Sequence, residues 1–176
     1  MLPAVAIPTP DGYNLLMADV LSKSQRSRLM RAVKGKNSKI ELIVRRALWR
    51  EGFRYSLHSR RYFGTPDIVL KKYKTVIFVD SCFWHGCKKH FQMPAVRVAF
   101  WRAKINTNRA RDRSVNLFYR RREWTVFRFW EHDITTDITK LIQTVAIRRS
   151  LCEKRGDVKT QWPEFRPGAQ RSKTCS

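Results

Sequence analysis

Apolar positions along this chain change their spacing several times, and each change marks an element. Ser38 followed by Glu41 has the form of a capping box, and Ile40, Ile43, Val44, Ala47 and Leu48 then recur at the spacing of one helical face until Gly52. A helix over 38–51 is expected, ended by the glycine. Phe53, Tyr55 and Leu57 alternate with Arg54, Ser56 and His58, the period of a half-buried strand. Two short β-branched runs come next, Asp67 to Lys72 and Thr75 to Asp80, joined around Tyr73 and Lys74, and they read as a hairpin. From Ala99 to about Arg122 there is no proline and there are enough helix formers for a strongly basic helix, after which Trp124 to Trp130 is another strand. Thr136 is placed to cap a last helix whose Ile138, Leu141, Ile142, Val145 and Ala146 share one face. Trp49 and Trp130 fall on apolar-patterned elements and are assigned to the core. This order of elements predicts an α/β sheet with helices packed on its faces.

The two ends carry no such pattern. Residues 1–16 hold Pro3, Pro8 and Pro10 and no Lys or Arg, so they lack the basic start and apolar stretch of a signal peptide and are expected to be a disordered extension, with Met17 as an alternative start. Residues 151–176 turn polar and aperiodic, with Pro163 and Pro167, and are expected to be a basic disordered tail carrying Cys152 and Cys175 as free thiols. A single domain over 17–150 is left, and 43% hydrophobic residues can fill one core.

Charge then names a partner. Against 14 Asp and Glu stand 37 Lys and Arg, a net charge of +23, a self-repulsion that a chain this size tolerates best beside a polyanion. Nucleic acid is the expected partner. A membrane surface is the competing one, but no segment approaches the ~20 apolar residues of a membrane span.

The chemistry is concentrated between Gly64 and His90. Asp67 opens one strand of the hairpin and Asp80 closes the other, so a tight turn can bring both carboxylates to one edge of the sheet, an arrangement suited to holding Mg2+ against a phosphate. Pro66-Asp67 by itself would be an ordinary turn. Four cysteines could make two disulfides, but no export signal is present, and Cys82, Cys87 and His90 are spaced as ligands of Zn2+, which places the protein in a reducing cytoplasm. By spacing, His85 could complete a local zinc site with them.

Several motifs in order over about residues 17–148 resemble the very-short-patch-repair (Vsr) mismatch endonucleases. They are Met17-Ala-Asp-Val, Arg26-Ser-x-x-Met30-Arg-Ala-Val, Gly-Thr-Pro-Asp-Ile-Val at 64–69, Cys-Phe-Trp-His-Gly at 82–86, Pro94-Ala-x-Arg, Phe100-Trp101-x-x-Lys104-Ile, Asn108-x-x-Arg-Asp112 and Trp130-Glu131. The resemblance implies a mixed sheet flanked by helices, like that of type II restriction endonucleases, with a structural zinc. It also implies nicking of one strand of duplex DNA 5′ to the T of a T·G mismatch, the product of 5-methylcytosine deamination, with mismatch-repair proteins as partners, by a protein that acts as a monomer in the cytoplasm at the nucleoid.

Residue by residue, the resemblance makes Asp67 the Mg2+ ligand together with the main-chain carbonyl of Val79. His85 becomes the general base and Asp112 the group that orients its imidazole. Glu41 matches an acidic position near the metal, although a capping box explains it equally well. Asp80 stands where the family has His, so the site gains a second carboxylate or that position changes its role. The family's zinc ligands map onto Cys82, Cys87, His90 and His132, a Cys2His2 set that still satisfies tetrahedral zinc. Phe83, Trp84 and Trp101 match aromatics that wedge into the base stack beside the mismatch, Met30 matches a residue inserting from the other side, and Lys104 lies among the basic residues that grip phosphates. Read as plain large apolar side chains, the same aromatics would be core. A zinc-stabilised DNA-binding protein without catalysis is the alternative function. A restriction-type nuclease acting on matched DNA is disfavoured, because Cys82 stands where its motif would place Lys.

Overall fold

The computed structural model describes residues 37–155, together with Ser24 and Arg28. Met17, Met30, Cys175, the extension over 1–16 and the tail beyond 155 lie outside the described residues. The first described helix, α1 (Lys39–Arg50), starts as its sequence requires: Ser38 Oγ accepts from the Glu41 amide at 3.2 Å, and the Glu41 carboxylate accepts from the Ser38 amide at 3.4 Å. It stops in a Schellman motif. Gly52 takes φ +79°, its amide donates to the Trp49 carbonyl at 3.0 Å, and the Phe53 amide donates to the Leu48 carbonyl at 3.0 Å.

Four strands form one sheet in the order β1 (Ser56–Leu57), β2 (Ile68–Leu70), β3 (Thr75–Asp80), β4 (Thr125–Trp130). β1 to β3 are antiparallel neighbours, β4 runs parallel to β3, and the 23-residue helix α2 (Val98–Arg120) is the crossover between them. The hairpin turns through a 3-10 segment at Lys71–Tyr73 and a left-handed Lys74, which sets the register Ile68↔Ile77 and Leu70↔Thr75. Alternation along β2 and β3 then feeds two cores. Ile68, Leu70 and Ile77 join Ile40, Val44 and Leu48 of α1, whereas Val69, Val76 and Phe78 pack with Val115 and Tyr119 of α2. Both faces of the hairpin are therefore covered, and its strands are buried along nearly their whole length. No described helix is long and apolar enough to cross a membrane.

Several sequence expectations need correction. The alternating run after α1 yields only a two-residue edge strand, with Leu57 exposed. Thr136 caps nothing: it ends a short helix, α3 (Glu131–Thr136), and its hydroxyl donates to the His132 carbonyl at 2.8 Å. The cap of the last helix, α4 (Ile138–Lys154), is Asp137, which accepts from the Thr139 amide at 3.0 Å. Cys152 is a free thiol but does not lie in a loose tail; it is buried in α4 with its Sγ 3.7 Å from the Tyr73 carbonyl. Trp49 is not core but 54% exposed, because the buried stripe of α1 is Ile40, Val44 and Leu48; the Arg54 guanidinium covers its ring at 3.9 Å. Trp130 is half-buried at the end of β4, stacked on His132 at 6.3 Å.

Candidate active site

Asp67 precedes β2, and its Oδ2 accepts from the Val79 amide at 2.8 Å, so the hairpin itself holds the carboxylate against the residue expected to share its metal. Burial, and after it the Glu41 and Asp80 carboxylates, push this carboxyl up to about 6 against the opposing pull of the Val79 N–H and of Arg45. A group so placed favours either a proton or a metal cation. Ligating atoms of Asp67, Glu41 and His58 lie within 4.8 Å of one another. The Glu41 carboxylate is heavily engaged, however: besides capping α1 it pairs with Arg45 Nη2 at 2.7 Å. The same Nη2 lies 2.5 Å from His58 Nε2, which is also 3.2 Å from Glu41 Oε2, while His58 Nδ1 lies 3.7 Å from Asp67 Oδ1. A guanidinium thus stands where a cation shared by Glu41 and His58 would have to go. Nothing in the sequence singled out His58 or Arg45, whose meeting depends on the fold.

The segment after β3 carries the second group. His85 Nδ1 donates to Asp112 Oδ2 at 2.6 Å, as the expected orientation of a base requires, and Nε2 is left as the nitrogen able to accept a proton. Burial alone would raise the Asp112 carboxyl, but the hydrogen bond and charge of His85, with Arg128 and Arg111, outweigh it and hold the group below the usual carboxylate range. Asp80 is buried and paired with Arg128, a residue the sequence did not single out. The loop itself is fastened to α2. Asn108 donates to the Trp84 carbonyl at 2.8 Å and Arg109 Nη2 to the Gly86 carbonyl at 2.5 Å, while a Cβ on Gly86 would stand 2.6 Å from that Nη2 and 2.9 Å from Ile105. Gly86 also has φ +63°, so the close approach of α2 and the left-handed backbone both favour glycine there.

His132, not His85, joins the cysteines. Donor atoms of Cys82, Cys87, His90 and His132 all lie within 4.8 Å of one another. Tetrahedral zinc with two sulfur and two nitrogen ligands sets its donors about 3.3–3.8 Å apart. Cys82 Sγ to His132 Nδ1 is 3.1 Å, Cys87 Sγ to His132 Nδ1 3.7 Å, and Cys87 Sγ to His90 Nδ1 3.8 Å. His132 Nε2 faces Asp133 Oδ1 at 3.1 Å, the outer carboxylate that commonly orients a ligating imidazole. Burial, with Cys87 and Glu131 nearby, pushes the Cys82 thiol up to about 12, and burial, His90 and Lys89 hold His132 below its usual value. A cation is what would reconcile such a thiol with ionisation.

Beside this cluster the aromatics pack edge to face or tilted: Phe83 to Trp101 at 5.1 Å, Phe83 to Trp84 at 5.2 Å and Trp84 to Trp101 at 5.8 Å. Phe83 is buried at the base, both tryptophans are half-buried, and Phe100 stands exposed with Arg97 4.7 Å from its ring. Arg102, Lys104, Arg111 and Arg113 of α2 are exposed and spread positive charge over more than one side of the helix.

Known proteins resemble the chain along most of its length. The family described as DNA mismatch endonuclease Vsr matches residues 18–92. The type II nicking enzyme V.NmeDIP of Neisseria meningitidis serogroup C is 37% identical over 150 residues, 83% of this chain and 99% of that protein. V.HpaIIP of Haemophilus parainfluenzae, also a type II nicking enzyme, is 36% identical over 139 residues, 77% of this chain and 97% of its own. The DNA mismatch endonuclease Vsr of Escherichia coli K12 is 36% identical over 116 residues, 65% of this chain and 74% of its own. Likeness of this extent shows that the chain belongs to the Vsr family of DNA mismatch endonucleases.

Proposed function

We propose that this endonuclease nicks one strand of duplex DNA at a T·G mismatch, using a divalent metal, Mg2+, and a structural Zn2+. The observation that carries the proposal is the His85–Asp112 pair at 2.6 Å, following the strand whose Val79 amide holds the partly buried Asp67 carboxylate at 2.8 Å. Asp67 and the Val79 carbonyl would hold Mg2+, which when bound supplies charge neutralisation at the scissile phosphate. His85 Nε2 takes a proton from the attacking water, and Asp112 keeps the imidazole oriented and offsets the charge it gains. Cys82, Cys87, His90 and His132 would hold Zn2+, whose work is to fix the loop that carries His85. Exposed basic residues of α2, Lys104 among them, grip phosphates, and Trp84 and Trp101, packed against Phe83, press into the duplex at a step already loosened by mispairing. One chain suffices for this, in the cytoplasm, with mismatch-repair proteins taking over the nicked strand.

A labelled duplex with one T·G pair, incubated with and without Mg2+ beside a matched control, tests the proposal directly. Nicking of the T strand alone, only with the metal, is the expected result. Binding without any cleavage would instead select the non-catalytic DNA-binding protein, and cleavage of both strands of matched duplex the restriction-type nuclease. The aromatic pair has its own test. Trp84→Ala with Trp101→Ala should reduce the preference for mismatched over matched duplex by about tenfold or more, since stacking contributes roughly 1–3 kcal/mol per base, while the salt dependence set by phosphate contacts stays put. Full preference in a destabilised protein would make both tryptophans core residues.

A further inference from the structure

Asp80 closes β3, and Arg128 grips it with two nitrogens, Nε to Oδ2 at 2.6 Å and Nη2 to Oδ1 at 3.0 Å. Sheet register makes this possible: Arg128 pairs with Phe78 across the parallel strands, so it shares the α2 face with Phe78 and Asp80, and its guanidinium lies 4.7 Å from the Phe78 ring. A bidentate, flat pair of this kind is available to arginine and not to lysine. As a mere buttress it would be a costly choice, because an apolar pair of similar volume commonly serves a buried position as well or better. What the ion pair adds is a spare donor. Nη2 also reaches Asp112 Oδ1 at 2.7 Å, and the other oxygen of Asp112 is the one that holds His85. The chain Asp80, Arg128, Asp112, His85 is continuous in hydrogen bonds from the middle of the sheet to the imidazole.

We infer that Arg128 is a positioning residue, anchored by Asp80, which fixes the Asp112 carboxylate so that the His85 proton stays on Nδ1 and Nε2 faces the reaction. Asp80 therefore serves as the anchor of Arg128 and not as a metal ligand. The kinetic consequences rest on the nicking activity proposed above; the state of the imidazole does not.

Arg128→Lys keeps the charge but cannot bridge two carboxylates in the same geometry. In the full-length protein it should lower kcat for nicking about ten- to hundredfold while leaving KM for the mismatched duplex within about twofold. In an Asp112→Asn background the same substitution should cost much less, because the hydrogen-bonded route to His85 is already cut and only the 3.7 Å approach of Asp80 Oδ1 to His85 Nδ1 is left. Equal losses in both backgrounds, or a loss in KM alone, would overturn the inference. Should Arg128→Lys fold poorly, Asp80→Leu with Arg128→Leu removes both charges together and should show the same loss and the same non-additivity. Nitrogen chemical shifts of the His85 ring at pH 8 provide a measurement that needs no activity. The proton should sit on Nδ1 in the wild type and be shared between the two nitrogens in Arg128→Lys. If the wild type proves unable to nick any mismatched duplex, the proposed function fails, and these shifts still decide: an imidazole unaltered by Arg128→Lys, or one protonated on Nε2 from the start, would end the positioning role.

Discussion

Asp67→Asn is expected to cut strand cleavage on the order of a thousandfold or more and, at the same time, to make the divalent-free protein more stable at neutral pH. The first effect is the several kcal/mol of transition-state stabilisation that a misplaced or lost catalytic metal withdraws. The second follows from the direction of the Asp67 shift. Its carboxyl is raised from 3.8 to about 6 in the folded protein, chiefly by burial. A raised folded value means that the group favours folding below about pH 4, and that this contribution is lost as pH climbs to about 6 and the buried carboxyl must ionise. Above that window the charge costs about 1–3 kcal/mol, and an amide of the same shape does not incur it while still accepting from the Val79 N–H. Thermal unfolding at pH 5 and pH 7.5 in divalent-free buffer, with no chelator so that zinc is retained, should show the Asn variant gaining on the wild type at both and more at the higher pH. Added Mg2+ should raise the melting temperature of the wild type more at pH 7.5 than at pH 5 and leave the variant unmoved. Near-normal nicking by Asp67→Asn would remove this residue from the site.

Removal of zinc is the other large effect. The purified protein should contain one equivalent, and stripping it with a strong chelator should lower the melting temperature by about 10 °C or more, because the binding free energy of a structural zinc is folding free energy. Cys87→Ser should reproduce the loss. Metal uptake should also release protons, since the thiol of Cys82 stands at about 12 without a cation beside it. A metal-free protein that melts at the same temperature as the untreated one would refute the assignment.

What the sequence made legible were the features encoded within a few residues. The capping box at Ser38 and Glu41, the stop at Gly52 and the hairpin around Tyr73 and Lys74 each depend on neighbours in the chain, and each is present in the structure. The ion pairs that support the site depend instead on register. Arg128 meets Asp80 because β4 lies parallel to β3 with Phe78 opposite Arg128, and nothing within either strand announces that pairing. His58 and Arg45, thirteen residues apart, meet through the return of the chain past α1. Competing local chemistry explains other misses: Asp137 caps α4 better than Thr136, whose hydroxyl a helical carbonyl had already taken. Trp49 shows the limit of composition, since a large ring one position off the buried stripe stays outside.

Trp84 and His85 are consecutive, the two cysteines of the metal cluster flank them, and Gly86 leaves no room between the loop and α2. Any substitution that moves the tryptophan moves His85 with it. In the proposed nicking reaction, substitutions of exposed Lys and Arg can therefore change the hold on DNA piecemeal, whereas a change of preferred lesion made within the loop would be accompanied by slower turnover.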